Sequence, residues 1–305
     1  MIELIFQKQT PQRLDRFILE ACPGIAPGRL HRYLRENKVK LNGKKQPLGT
    51  LLHPGDAVRL FLPDAAAQPP AHPLAILYED DALLAVNKPV GHRSQNETGP
   101  QTGTLLGDIR TYLTETGYTP LPGFTPALCH RLDTGTSGVL LAAKTPAALA
   151  AITGLLKHRQ LEKQYVGLTI GHPQPAAGTL EGWLFKDARQ STVHVTRQKQ
   201  PGAQPASLHY ETLACSGRLA LLRILPHTGR THQIRAQLAA AGTPLLGDSK
   251  YGDAAVNRAL KCRYQCLCAQ ALQFPTLPGS PWSGLRIQAP DPWFCAQALA
   301  GTLTW

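Results

Sequence analysis

The chain has 305 residues, room for one large domain or a large and a small one, and its 43% of hydrophobic residues can fill a sizeable core. A formal net charge of +12 and a pI near 9.5 point to a polyanionic partner, nucleic acid above all. Seven scattered cysteines, an odd number, argue against a disulfide framework and for the reduced thiols of the cytoplasm, and no run approaches the 18 or so apolar residues of a membrane span.

The N-terminus, MIELIFQKQT, lacks the basic and apolar regions of a signal peptide. The first sixty residues then read as helix, helix, hairpin. Leu14, Phe17 and Ile18 have helical spacing, as do Leu30, Tyr33 and Leu34. Arg29, Arg32 and Arg35 recur every third residue and share one broad face. Asn42-Gly43 within VKLNGKK predicts a tight hairpin turn, and HPGD followed by AVRLFL predicts another turn and a last strand. Residues 1–62 hold 11 Lys and Arg against 5 Asp and Glu, a net of +6 and half of the chain's surplus. Charge of one sign on so small a module favours binding over a merely solvated face.

Pro63 to Pro73, PDAAAQPPAHP, has no apolar period and reads as a linker, dividing residues 1–62 from a second module at 74–305. That module alternates short β-like runs with turns: LAILYED, ALLAVNKP, GVLLAAK, QYVGLTI, LHYETLA and ALLRILP. Helical patterns are fewer, near 104–116, 146–159 and 231–241. With no GxGxxG fingerprint and no P-loop, the expectation is an α+β fold: a large mixed, mostly antiparallel sheet with flanking helices. Cys262, Cys266 and Cys268 lack the paired spacing of a zinc site, so no metal is expected.

The stretch CHRLDTGTSG places Asp133 in a run like that around an aspartic-protease carboxylate. Such a protease needs two carboxylates about 3 Å apart sharing one proton, and no second D-[TS]-G occurs. Alone, the stretch is equally a structural turn, with Asp133 capping a loop and Gly135 and Gly138 permitting its backbone angles. Three further segments change its weight. LEKQY brings Tyr165 into a strand, HTGRTHQIRAQLAAAG gathers Arg and His at a strand-to-helix junction, and PLLGDSKYG is a glycine-punctuated loop.

QRLDRFI, GRLHRYLRENKVKLNGK and HPGDAVRL resemble the S4 RNA-binding domain over about residues 11–62. VNKPVG, HRLDTGTSG, LEKQY, HTGRTHQIR and PLLGDSKYG, in that order, resemble the RluA-type pseudouridine synthases over about residues 74–290. The second resemblance implies that Asp133 is the essential catalytic carboxylate and that Tyr165 packs on the target base and helps remove its C5 proton. It further implies that Arg235 ion-pairs with the aspartate, that Leu246 lines the pocket, and that Arg131 fills the space left by the extruded nucleotide. Lys88 and Arg230 are expected substrate contacts, and Arg29, Arg32, Arg35 and Lys44 would meet RNA phosphates.

The implied reaction breaks the N1–C1′ bond, turns the uracil and joins C5 to C1′. It involves no redox change, so no cofactor is expected. The base must be flipped out at a cost of a few kcal/mol, and the carboxylate must be ionised to act as nucleophile or as base. Two departures bear on the choice of RNA: HRSQNETGPQTGT after KPVG is long and polar, and Leu267-Cys268-Ala269 replaces the family's Leu-His-Ala. The expected protein is a cytoplasmic, monomeric enzyme acting on RNA, with large-subunit ribosomal RNA preferred and transfer RNA the alternative. A non-catalytic RNA-binding or ribosome-assembly factor is the reading from another class, and the Asp133, Tyr165 and Arg235 set opposes it.

Overall fold

The computed structural model describes residues 2–8, 10–22, 30, 33–47, 49–61, 74–187, 192–303 and 305. The chain divides into two compact units, residues 1–74 with 95–112 and residues 75–94 with 113–305. The linker expected at 63–73, together with Arg29 and Arg32, lies outside the described residues.

The first unit holds strands β1 (Ile2–Ile5), β2 (Gln12–Arg13), β3 (Val39–Leu41), β4 (Leu51–Leu52) and β5 (Ala57–Leu60), with helix α1 (Leu14–Ala21). The strands form a three-stranded sheet in the order β1-β5-β3 and a separate β2-β4 pair. Leu14 and Ile18, one turn apart on α1, are fully buried against Phe6, Leu52 and Leu60. Asn42 and Gly43 both take left-handed angles, as the two-residue turn requires. Leu41 and Lys44 close that turn with reciprocal backbone bonds of 2.9 and 2.8 Å. The hairpin ladder stops there, because β3 pairs with β5 instead. Helix α2 (Leu105–Glu115) begins in this unit's second segment.

The second unit is built on one 11-stranded sheet. Its strands are β6 (Ile76–Glu79), β7 (Leu83–Lys88), β8 (Ala127–Leu128), β9 (Ser137–Ala143), β10 (Glu162–Ile170) and β11 (Ala177–Asp187). They continue with β12 (Thr192–Thr196), β13 (Gln204–Ser216), β14 (Leu219–Pro226), β15 (Leu267–Gln273) and β16 (Arg286–Gln288). The order is β12-β11-β13-β14-β10-β15-β9-β7-β6, with β8 on β9 and β16 on β15. Its pairs are antiparallel except β9 with β15, so the sheet is mixed and mostly antiparallel. The apolar runs LLAV of β7 and VLLAA of β9 are buried along their whole length, as strands covered on both faces are.

Among the described residues, four helices belong with the sheet: α3 (Pro146–Lys157), α4 (Gln233–Ala240), α5 (Ala254–Ala259) and α6 (Trp293–Leu299). The Thr145 side chain caps α3 by accepting from the Ala148 N–H, and Pro146 suits its first turn. Cys266 and Cys268 pack in the core with Val166 and Leu168. Among the described residues, no helix is long and apolar enough to cross a membrane.

The contact between β9 and β15 decides where the chemistry can lie. Gly138 there has φ +110°, and a Cβ on it would collide with the carbonyl of Ala269. A Cβ on Gly135 would likewise collide with the Gln265 side chain. The glycines of DTGTSG thus let the loop that carries Asp133 lie directly against β15.

Candidate active site

Asp133 stands on the loop between β8 and β9, and that loop is fastened from one side by the KPVGHRS segment. Ser94 Oγ donates to the Leu132 carbonyl at 2.7 Å and accepts from the Leu132 N–H at 3.2 Å. The Gly91 N–H donates to the Thr134 carbonyl at 2.8 Å. Lys88 Nζ donates to the carbonyls of Pro89, His92 and Thr134 at 3.0, 2.6 and 3.2 Å. From the other side, Gln265 Nε2 donates to Thr136 Oγ1 at 3.2 Å. The Asp133 side chain between these fixed ends keeps 23% of its surface exposed.

Arg235 rises from the first turn of α4, where its side chain is only 6% exposed. Its Nη1 donates to Asp133 Oδ2 at 2.8 Å. Its Nε and Nη2 grip Asp248 Oδ2 and Oδ1 at 2.7 and 2.8 Å, a bidentate arrangement that fixes the plane of the guanidinium. The Asp248 carboxylate is fully buried and also accepts from the backbone N–H groups of Lys250 and Tyr251. Burial pushes this carboxyl up, but Arg235 and the two N–H groups outweigh it and hold it below the usual carboxylate range. Burial also opposes the charge on Arg235, yet Asp248 and then Asp133 raise it above its ordinary value. A cation is therefore locked beside Asp133.

His232 has left-handed backbone angles (φ 53°) just ahead of α4. Tyr251 Oη accepts from the Val193 N–H at 2.7 Å and is hydrogen-bonded to His232 Nδ1 at 3.0 Å. The other ring nitrogen, Nε2, faces Asp133 Oδ2 at 3.8 Å. Burial lowers the His232 pKa, with Asp133 pulling the other way, and the ring stays neutral. The Tyr251 ring lies under the Arg235 guanidinium, 5.2 Å from it.

Tyr165 enters from β10, between Ile224 of β14 and Ala269 of β15. With Arg131, Asp133, His232, Arg235 and Leu267 it lines a cavity of about 80 Å³. Burial, with Asp133 adding to it, pushes the Tyr165 hydroxyl up, so it is a neutral phenol. Arg131, exposed, and Tyr165 also border a cleft of about 1060 Å³. Arg230 is exposed on that cleft, its Nε 3.5 Å from the Pro205 carbonyl.

Two expected site residues are placed elsewhere. Leu246 is fully buried in the core with Val166 and Leu168; its N–H bonds the Leu168 carbonyl and its carbonyl accepts from Cys266, so its side chain turns inward. Leu132, Ile234 and Leu267 supply the apolar lining of the cavity. Lys88 is fully buried with its donors on three carbonyls, so it fastens the Asp133 loop and does not meet a phosphate. Burial, against the pull of Asp133, pushes its amine down to about 8. Arg35 and Lys44 are exposed on the first unit. Sequence patterns gave no role to Asp248, Tyr251 or His232, although they lie in PLLGDSKYG and GRTHQIR, and Leu267 stood out only as part of the Leu-Cys-Ala departure.

Asp248 is a second carboxylate, but a guanidinium stands between it and Asp133 where a protease dyad would share a proton. A family model described as RNA pseudouridylate synthase matches residues 82–240, more than half of the chain. The chain belongs to this family. This pseudouridylate synthase, an isomerase, is 32% identical to the ribosomal large subunit pseudouridine synthase C of Salmonella typhi, over 95% of this chain and 92% of that one. It is also 32% identical to the ribosomal large subunit pseudouridine synthase D of Yersinia pestis, over 81% of this chain and 75% of that one. The solved structure of human RNA pseudouridylate synthase domain containing 4 shares the pseudouridylate synthase fold with a TM-score of 0.60 at 24% identity, covering 75% of this chain and 92% of that one.

Proposed function

We propose that this protein converts specific uridines of large-subunit ribosomal RNA to pseudouridine. The observation that carries the reading is a single partly exposed carboxylate, Asp133, opening on a cavity walled by Tyr165 and held against a buried guanidinium. The names of the 32%-identical relatives favour ribosomal RNA as the substrate. The target uridine is turned out of its stack, and Arg131 fills the gap. The Tyr165 ring gives the uracil a stacking surface. Asp133, held in place by Arg235, acts on the ribose as nucleophile or base. The N1–C1′ bond breaks, the uracil turns, and C5 joins C1′. The proton leaving C5, in whose removal Tyr165 assists, is balanced by one gained at N1, so no oxidant or cofactor enters.

The first unit acts as an S4-like grip in this reading. Arg35 and Lys44, exposed on it, meet phosphates and add affinity without sequence choice. The enzyme works in the cytoplasm as a monomer. Replacing both cations in an Arg35→Gln, Lys44→Gln variant lowers the slope of log affinity against log salt by roughly 0.7–0.9 for each phosphate no longer neutralised. An unchanged slope would take these residues off the RNA.

Pseudouridine mapping of total RNA from cells with and without the gene tests the function itself. One or a few pseudouridines disappear from large-subunit ribosomal RNA. Loss confined to transfer RNA would move the substrate, and no lost site at all would return the chain to a non-catalytic RNA-binding factor.

A further inference from the structure

Tyr165 shares its cleft with a second polar group. Lys163 lies two residues earlier on β10, across a register shift of the β10–β15 ladder between Gln164 and Tyr165. Both line the cleft of about 1060 Å³ that continues past Arg131. The cleft wall is basic, with Arg131, Lys157, Arg159 and Arg230 against the single carboxylate of Glu162. Those four cations are exposed on long stems, whereas Lys163 is half-buried.

Burial pushes the Lys163 amine down, and its charge helps to keep the neighbouring His130 neutral. Among the described residues, Lys163 Nζ makes no hydrogen bond or ion pair. It is pressed against the PHTG turn, where a Cβ built on Gly229 would stand 3.0 Å from Nζ. A half-buried ammonium without an acceptor is costly unless something brings it one. Lysine offers three donors and a point charge and no acceptor, which suits an anionic oxygen better than a base edge.

We infer that Lys163 seats a phosphodiester of the RNA strand next to the flipped nucleotide, so that the strand's backbone is held in the cleft that Tyr165 also lines. This rests on the reading of the cleft as an RNA site, and it makes Lys163 a positioning residue distinct from the exposed cations around it. Gly229 borders the same seat: a Cβ there would stand 3.0 Å from Nζ, and the ammonium would have to give by a few tenths of an ångström.

The test measures affinity for unmodified large-subunit ribosomal RNA transcript across a salt series, with isomerisation followed separately. Lys163→Met is expected to weaken binding about tenfold and to lower the salt slope by roughly 0.7–0.9, the signature of one phosphate left without its cation. Lys163→Arg keeps the slope. Gly229→Ala leaves the net charge untouched but still weakens binding, and it adds little to Lys163→Met in the double variant. Should Lys163→Met fold poorly, the Lys163→Arg and Gly229→Ala pair carries the test. An unchanged slope in Lys163→Met overturns the inference, as does an equal loss in Lys157→Met, which would mean a diffuse basic field rather than a seat. Absence of isomerisation by the wild type counts against the proposed function alone, because the binding slope still decides the role of Lys163.

Discussion

Asp133→Asn abolishes uridine isomerisation, by a factor on the order of 10⁴ or more, while RNA affinity stays nearly unchanged. The substitution keeps the shape of the side chain. The amide oxygen can still accept from Arg235 Nη1, which holds the present carboxylate at 2.8 Å. Arg235 retains Asp248 as its counter-charge, so the guanidinium stays where it is. What disappears is the anionic oxygen to which the proposed reaction gives the attack on the sugar or the removal of its proton. Tritium release from RNA labelled at uracil C5 reads the chemistry, and filter binding reads the affinity. Normal tritium release would remove Asp133 from the reaction.

Arg235→Met acts on the fold as well as the reaction. It strips the cation from Asp248, whose side chain is fully buried, and leaves that charge uncompensated. Breaking a buried pair from one side costs about 3–5 kcal/mol. Asp133 loses its anchor in the same step, so activity falls too. The double variant Arg235→Met, Asp248→Leu removes both partners and recovers most of the stability but none of the turnover. The pH dependence separates these states. In the wild type the Asp248 carboxyl is held below its ordinary range, so its contribution is complete above the unfolded value of about 4 and is lost as pH falls through the lower folded value. Without Arg235, only the Lys250 and Tyr251 N–H groups still oppose burial, so that carboxyl rises from its wild-type value and its buried charge is relieved sooner as pH falls. The deficit of the single variant against the wild type therefore narrows between pH 7 and about pH 4. Urea unfolding at the two pH values checks the sign, and a deficit independent of pH would mean that Asp248 is not the group responsible.

Much of this arrangement can be read from short strings, and the remainder depends on distance. The helix at 146–157 announces itself through Thr145-Pro146 and an apolar period. The helix at 233–240 starts later than its pattern at 231–241 suggests, because His232 adopts left-handed angles that periodicity cannot express. Asp133, Tyr165 and Arg235 are reactive types in distinctive motifs, and the structure gathers them at one cavity. Asp248 lies in such a motif too, but its role exists only where the chain folds it back onto a guanidinium. Lys88 in KPVG looks like a surface cation until three carbonyls from two separate segments close over its amine. Leu246 and Leu267 are alike as letters, and only the backbone pairing of each decides which one faces the cavity.

The parallel contact of β15 with β9 has a consequence for synthesis. Arg235 reaches Asp133 across 102 positions of sequence, and Gln265 reaches Thr136 across 129. β15 flanks the Tyr165 strand on one side and supports the Asp133 loop on the other. A translating ribosome releases Asp133 and Tyr165 long before that strand, and closures between such remote segments are slow. The nascent enzyme can thus expose basic surface to the RNA around it while its carboxylate has no working geometry. In this reading turnover begins only once β15 has docked between β9 and β10, which makes synthesis of that strand the step that arms the enzyme.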